Sequence, residues 1–338
     1  MKILVTGGLG YIGSHTAVEL SKNYEIIIVD NLVNSNISTL DGINKISSSK
    51  VIFEKLDLAD LKSVRDLFEK HADIQGIIHF AALKSVGESV HNPIRYYNNN
   101  IISLLNLLSE IRDRNMNINF VFSSSCTVYG QSENLPISES EPIKKALSSY
   151  GNTKQICEEI LSDYSKINSK FNAISLRYFN PIGAHESAEI GELPIGTPQN
   201  LVPFITQSAA GIRKELTVFG NDYDTEDGTC IRDYIHVVDL ANAHICALNH
   251  LLKNDEVNNE FFNIGTGKGN SVLEVINYFE NVTGQKINYK IGPRRSGDIT
   301  ANYADNKKAK DILDWEPKYK LEEALLSAWN WEKKYRKI

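Results

Sequence analysis

The chain contains little cysteine, four residues in 338. Cys126, Cys157, Cys230 and Cys246 are scattered with no CxxC pair, so no disulfide framework is expected and they read as reduced thiols. Long apolar runs are missing as well. The longest aliphatic stretches, such as Ile26-Ile27-Ile28-Val29, fall far short of the ~20 residues that span a bilayer. The opening MKILVTGGLG has one lysine and four apolar residues before the glycines. That is too short for a secretory signal, so a cytoplasmic protein is expected, in which the acceptor patterns at 36–38 and 281–283 carry no glycan. There is no excess of positive charge: 36 Lys and Arg stand against 42 Asp and Glu, a net charge of −6. A broad nucleic-acid-binding surface is therefore not expected, although a few local arginines can still hold a phosphate. No metal is expected either. The eight histidines show no ligand spacing, and His79, at a strand end, reads as a packed or hydrogen-bonded residue. The DYDTEDG stretch at 222–228 has its glycine one position late for a calcium loop, with no closing glutamate. No internal repeat or low-complexity segment appears.

What is present is an ordinary globular balance, 42% hydrophobic and 23% charged, at a length suited to about two domains. Short apolar strands at 2–6, 25–29, 51–55, 76–80, 119–123 and 173–178 alternate with helical patterns at 14–22, 61–71, 93–115 and 150–167. Leu61, Val64, Leu67 and Phe68 share one helix face. Leu104, Leu105, Leu107, Leu108 and Ile111 mark the third helix as core or as a contact between subunits. This alternation predicts an α/β fold with a doubly wound parallel sheet covered on both faces. Near residue 180 the texture changes. Glycine, proline and polar residues dominate 181–229, the composition of loops folded over a site. Helical patterns return at 238–252, 272–283 and 321–335. The expected division is a first domain over 1–180 and a smaller mixed α/β domain over 181–338, with a segment near 233–265 packing back on the first.

The first strand runs into Gly7-Gly8-Leu9-Gly10-Tyr11-Ile12-Gly13. Gly7, Gly10 and Gly13 form a G-x-x-G-x-x-G loop between a strand and a helix, where the chain must turn sharply and approach a pyrophosphate closely. The helix N-terminus adds free N–H donors. Alone, the trio is compatible with a tight structural turn. Here an acid, Asp30, ends the next strand, placed to accept from adenosine ribose hydroxyls and to repel a 2′-phosphate, so NAD is expected rather than NADP. Asp57, after the third strand, can reach the adenine ring. Tyr150 and Lys154 stand at i and i+4 on one helix face. An adjacent ammonium, together with a bound cationic nicotinamide, is expected to lower the tyrosine pKa and make Tyr150 a base for an alcohol proton. The fifth strand ends in Ser123-Ser124-Ser125, at the sheet edge where such folds bind ligands. Ser125 is the candidate partner of the same alcohol.

These motifs resemble the extended short-chain dehydrogenase/reductase family, essentially end to end. They are TGGLGYIGSH at 6–15, VDNLVNS at 29–35, HFAALKSVGESV at 79–90, FSSSCTVYG at 122–130, SSYGNTK at 148–154, LRYFNPIGAH at 176–185, NLVPFI at 200–205, FGNDYDTEDGTCIRDYIHV at 219–237 and PRRSGD at 293–298. The resemblance is greatest to members that epimerise C4 of a UDP sugar through a 4-keto intermediate, and it implies a Rossmann-type first domain. It implies that NAD stays bound and is regenerated, with Tyr150, Lys154 and Ser125 catalytic. It assigns further NAD contacts to Tyr11, Ile12, Asn31, Ser35, Leu58, Phe80, Ala81, Lys84, Asn99 and Phe179. It assigns the UDP sugar to Lys84, Asn180, Asn200, Leu201, Thr217, Phe219, Arg232, Arg295, Asp298 and Asn302, with the two arginines suited to the diphosphate. A homodimer joined by the two long helices of the first domain is implied too. Asn302 stands where a residue of the family touches the sugar ring. Its small size implies room for a 2-N-acetyl group, unless the loop is shifted by one residue and Tyr303 closes the pocket.

Two other classes compete. Dehydratases of this fold carry an Asp-Glu pair after the strand-five serine or threonine, where this chain has Cys126 and Thr127, neither a carboxylate. A non-catalytic module that merely senses NAD could dispense with the tyrosine or lysine, and this chain keeps both.

Overall fold

The computed structural model describes residues 1–254, 257–295 and 297–338, so Ser296 of the PRRSGD motif and two residues of the 233–265 segment lie outside it. Strands β1 (Lys2–Thr6), β2 (Glu25–Asp30), β3 (Ile52–Lys55), β4 (Ile74–His79), β5 (Ile118–Ser125) and β6 (Phe171–Tyr178) alternate with helices α1 (Tyr11–Leu20), α2 (Ser38–Ile46), α3 (Leu61–Lys70), α4 (Val86–His91), α5 (Pro93–Asp113) and α6 (Ser149–Ile167). After them come β7 (Asn180–Ile182), α7 (Leu201–Ala209), β8 (Leu216–Phe219), β9 (Ile231–Arg232), β10 (Tyr234–His236), α8 (Val237–Lys253), β11 (Asn259–Ile264), β12 (Asn270–Ser271), α9 (Val272–Thr283), β13 (Tyr289–Gly292), β14 (Ala301–Asn302), α10 (Lys307–Leu313) and α11 (Leu321–Arg336).

The central sheet has the order β11-β6-β5-β4-β1-β2-β3, and every pair in it is parallel. A strand covered on both faces reads as a continuous apolar run because successive side chains point opposite ways. On β1 and β2, Ile3, Val5, Ile26 and Ile28 face one core, with Ala17 and Leu20 of α1 and Ala243 and Leu248 of α8. Leu4, Ile27 and Val29 face the other, with Phe68 of α3, Leu107 of α5 and Leu161 of α6. Each of the valine, leucine, isoleucine and phenylalanine side chains among them contributes ~1.5–3 kcal/mol on burial.

The chain order reverses between β1 and β4, which opens a crevice beyond their carboxyl ends, the usual ligand position in such sheets. Helix α8 packs against α1, and β11 extends the sheet beside β6. Helix α10 also packs here, against α8 and β11, with Ala309, Leu313 and Trp315 in the first core. Helices α7, α9 and α11 gather in a second lobe around Val275, Ile276, Phe279, Leu325 and Trp329.

Some elements differ from expectation. Helix α1 starts at Tyr11, three residues earlier than the pattern suggests, because Gly10 takes the extended capping conformation. Helix α2 has a glycine in its middle, a poor helix former. Gly42 is used for contact: a Cβ there would overlap the carbonyl of Glu189. Helix α7 lies inside the stretch read as loops, with Pro203 in its first turn, where a missing N–H costs no helical bond.

Candidate active site

The crevice at β1 and β4 is built around the glycine loop. Gly7 has φ +65°, and a Cβ on it would come within 2.8 Å of the Ala81 backbone nitrogen. A Cβ on Gly13 would strike the Gly7 carbonyl oxygen. Gly10 caps α1 without a side-chain bond, which leaves the first-turn N–H groups to a ligand. Beneath the loop, Thr6 Oγ1 bonds His79 Nδ1 at 2.8 Å and accepts from the Ala81 N–H at 3.3 Å, joining the ends of β1 and β4. Burial drives the His79 pKa down to about 3, so the ring is a neutral packed residue, as expected from its position.

Gly7, Gly10, Tyr11, Ile12, Gly13, Asp30, Asn31, Ser35, Asp57, Leu58, Phe80, Ala81, Lys84 and Asn99 all line this crevice, together with Tyr150 and Lys154. The Asp30 carboxylate is already engaged. One oxygen accepts from Leu9 N at 3.1 Å; the other accepts from Leu32 N at 2.9 Å and Ser35 Oγ at 2.7 Å. A carboxylate has about four acceptor sites, so Asp30 has room for one ribose hydroxyl and spends the rest holding the loops after β1 and β2. The cradle fits a dinucleotide: closely approached glycines at the phosphate position and a carboxylate at the ribose position.

Helix α6 is placed by its cap. Ser148 Oγ accepts from Gly151 N at 3.1 Å, which sets Tyr150 in the first turn and Lys154 one turn later. Lys154 Nζ donates to the Ser123 carbonyl at 2.6 Å and lies 5.8 Å from the centre of the Tyr150 ring. The expected lowering of the Tyr150 pKa is not what the chain's own groups produce. Burial pushes Tyr150 up to about 12, with Ser125 opposing the rise and Cys126 and Tyr96 adding to it. Burial also drives Lys154 down to about 8, against the upward pull of Cys157 and Glu158. Desolvation dominates both shifts because both groups are buried away from water.

Sequence reasoning missed several residues here. Asn100, fully inside the fold, accepts from Leu83 N at 2.8 Å and donates to Leu83 O and to Thr153 Oγ1, each at 3.0 Å. It ties the loop after β4 to the catalytic helix. Tyr178 lines the crevice and bonds Ser123. A residue's partners across the sheet carry no local signal.

A second cleft lies in the other lobe. Asn180, Asn200, Leu201, Thr217, Phe219, Arg232, Arg295 and Asp298 all line it, as expected from sequence. Asp298 holds both arginines: Arg295 bonds it at 2.9 and 3.2 Å, and Arg232 stands 3.6 Å away. Arg232 is further fixed by the carbonyls of Ile231 and Ile299, each at 2.8 Å. Two guanidinium groups aimed from one carboxylate suit a diphosphate.

Ser125, Phe179 and Asn302 are not among the residues lining either cleft. Ser125 is buried and accepts from Thr127 N at 3.3 Å. Phe179 packs with Val128, Tyr129, Ile137 and Ala304. Asn302 is buried beside the strand-five end; its Nδ2 lies 3.5 Å from Cys126 Sγ, and its Oδ1 has no partner. Tyr303 faces the other way, towards Gly269. Among the described residues no cluster of ligating side chains could hold a metal, and no helix is long and apolar enough to cross a membrane.

Comparison with known proteins agrees with this geometry. The family model described as GDP-mannose 4,6 dehydratase matches residues 4–327. A UDP-glucose 4-epimerase of Erwinia amylovora is 45% identical over 98% of this chain and 98% of its own. The crystal structure of UDP-glucose-4-epimerase from Stenotrophomonas maltophila, with bound NAD and formylated UDP-arabinopyranose, is 44% identical with TM-score 0.95, covering 100% and 99% of the two chains. The UDP-Glc/GlcNAc 4-epimerase of Campylobacter jejuni is 38% identical with TM-score 0.84, covering 98% and 99%. The family model carries a dehydratase's name, while the curated relatives matched along the chain are epimerases. With this match along nearly its whole length, the chain belongs to the UDP-glucose 4-epimerase family, isomerases of the extended short-chain dehydrogenase/reductase type.

Proposed function

We propose that the chain interconverts UDP-glucose and UDP-galactose with NAD in the first cleft and the UDP sugar in the second, and that it also takes the N-acetylated pair. The observation that carries this reading is Tyr150 and Lys154 on the wall of the dinucleotide crevice, at the start of α6. NAD, when bound, supplies the acceptor for the C4 hydrogen and a positive ring near Tyr150. Tyr150 takes the proton of the sugar 4-hydroxyl and returns it after the 4-keto sugar has turned over. Lys154 holds its charge beside the phenol, and Ser125, buried beside Tyr150 and not on the cleft wall, orients the phenol towards the hydroxyl. Arg232 and Arg295 grip the diphosphate, leaving the hexose free to rotate about that anchor.

The N-acetylated pair is supported by Asn302. It is buried behind the cleft walls, beside Cys126 and paired with Arg232 of β9, and its amide oxygen has no partner among the described residues, which leaves an acceptor for an acetamido N–H. Helix α5 leaves Ile94, Ile102 and Leu105 exposed, which supports a homodimer through the long helices. The cofactor assignment has a direct check. Protein stripped of nucleotide should regain conversion of UDP-galactose with NAD and not with NADP, because Asp30 would meet the 2′-phosphate with like charge. Equal rescue by both would show that Asp30 does not face the ribose.

A further inference from the structure

Glu192 lies between the two clefts. Its side chain is only 11% exposed, and one oxygen, Oε1, serves two donors. Asn200 Nδ2, from the wall of the second cleft, donates to it at 2.7 Å, and Lys84 Nζ, from the wall of the first, stands 3.5 Å away. The backbone beneath is fixed in place. Trp331 Nε1 donates to the Glu192 carbonyl at 3.1 Å, and Gly191 lies so close that a Cβ on it would overlap the indole. The Glu192 charge also adds to the burial that keeps Tyr11, at the phosphate end of the first cleft, protonated.

An anion in this place works against diphosphate binding on both sides. What it supplies is geometry. The Asn200 amide has a second hydrogen and Lys84 has two more, all free to turn to phosphate while Glu192 holds the first. We propose that Glu192 is a positioning residue that aims Asn200 and Lys84 at the phosphates of the two ligands and makes each donor's contribution depend on it. This rests on the assignment of Asn200 and Lys84 to the ligands given above.

The test is a double-mutant cycle on the NAD-loaded enzyme, with UDP affinity read by calorimetry. Asn200→Ala alone should weaken UDP about tenfold, the scale of a hydrogen bond to a charged group. In a Glu192→Ala background, where the amide is no longer aimed, Asn200→Ala should add no more than about twofold. Glu192→Gln, whose amide oxygen still accepts from Asn200, should restore UDP affinity to within about threefold of the native enzyme. A merely structural role for Glu192 would leave the Asn200→Ala loss the same in both backgrounds. That result would overturn the proposal and leave Asn200 as an independent phosphate contact. No loss from Asn200→Ala in the native enzyme would overturn the cleft assignment, and the proposal with it. The same cycle with Lys84→Ala, read on NAD dissociation, should be non-additive as well; additivity there would overturn the Lys84 half.

Discussion

Tyr150→Phe should lower kcat by about 10²–10⁴-fold, the usual contribution of a positioned acid–base group, with the fold and NAD retention unchanged. Tyr150 is the phenol on the wall of the dinucleotide crevice that stands one helical turn from a lysine. The variant keeps the ring that packs there and removes only the oxygen. Ser125 cannot stand in, because a serine alkoxide is far less accessible near neutral pH than a phenolate beside a cation, the form in which Tyr150 takes the proton. Lys154 keeps its bond to the Ser123 carbonyl whether or not the phenol is present. A pure, NAD-loaded Tyr150→Phe protein with near-native kcat would remove Tyr150 from the chemistry.

Asn302→Tyr should lower turnover of UDP-N-acetylglucosamine by roughly 10–10²-fold and leave UDP-galactose within about threefold. The size follows from the cost of forcing extra volume into a packed site. Asn302 is buried against Cys126 with an unpartnered amide oxygen. On the proposed substrate range, a tyrosine there would take the place of the acetamido group and remove the acceptor for its N–H. Retained UDP-galactose turnover serves as the control for folding. If the native protein shows no turnover of the N-acetylated sugar, or the tyrosine variant keeps all of it, Asn302 is not the gate.

The dinucleotide cleft was legible in the sequence because its parts are local. A glycine loop, a strand-end acid and a tyrosine–lysine pair each announce themselves within a few residues, and the sheet brings their strand ends together. The second cleft was legible only through motif resemblance. Arg232 and Asp298 are 66 positions apart, and no spacing rule connects them. What was not legible is environment. The lowered phenol pKa was expected from Lys154 and the bound nicotinamide together; among the chain's own groups burial raises Tyr150 and lowers Lys154, a balance that depends on depth below the surface. Asp30 also anchors two loops, through partners that the strand-end position does not reveal. Glu192 lies in a stretch read as loops, and its meaning comes from partners 108 and 8 residues away.

The central claim is that one hydrogen leaves C4, is held within the site, and returns to the other face of the same carbon while Tyr150 handles the hydroxyl proton. The most direct measurement is to give the NAD-loaded enzyme UDP-galactose deuterated at C4, in ordinary water, and to locate the label in the product by mass spectrometry and NMR. The account predicts UDP-glucose with the deuterium still at C4. Loss of the label to solvent, or no UDP-glucose at all, would contradict it.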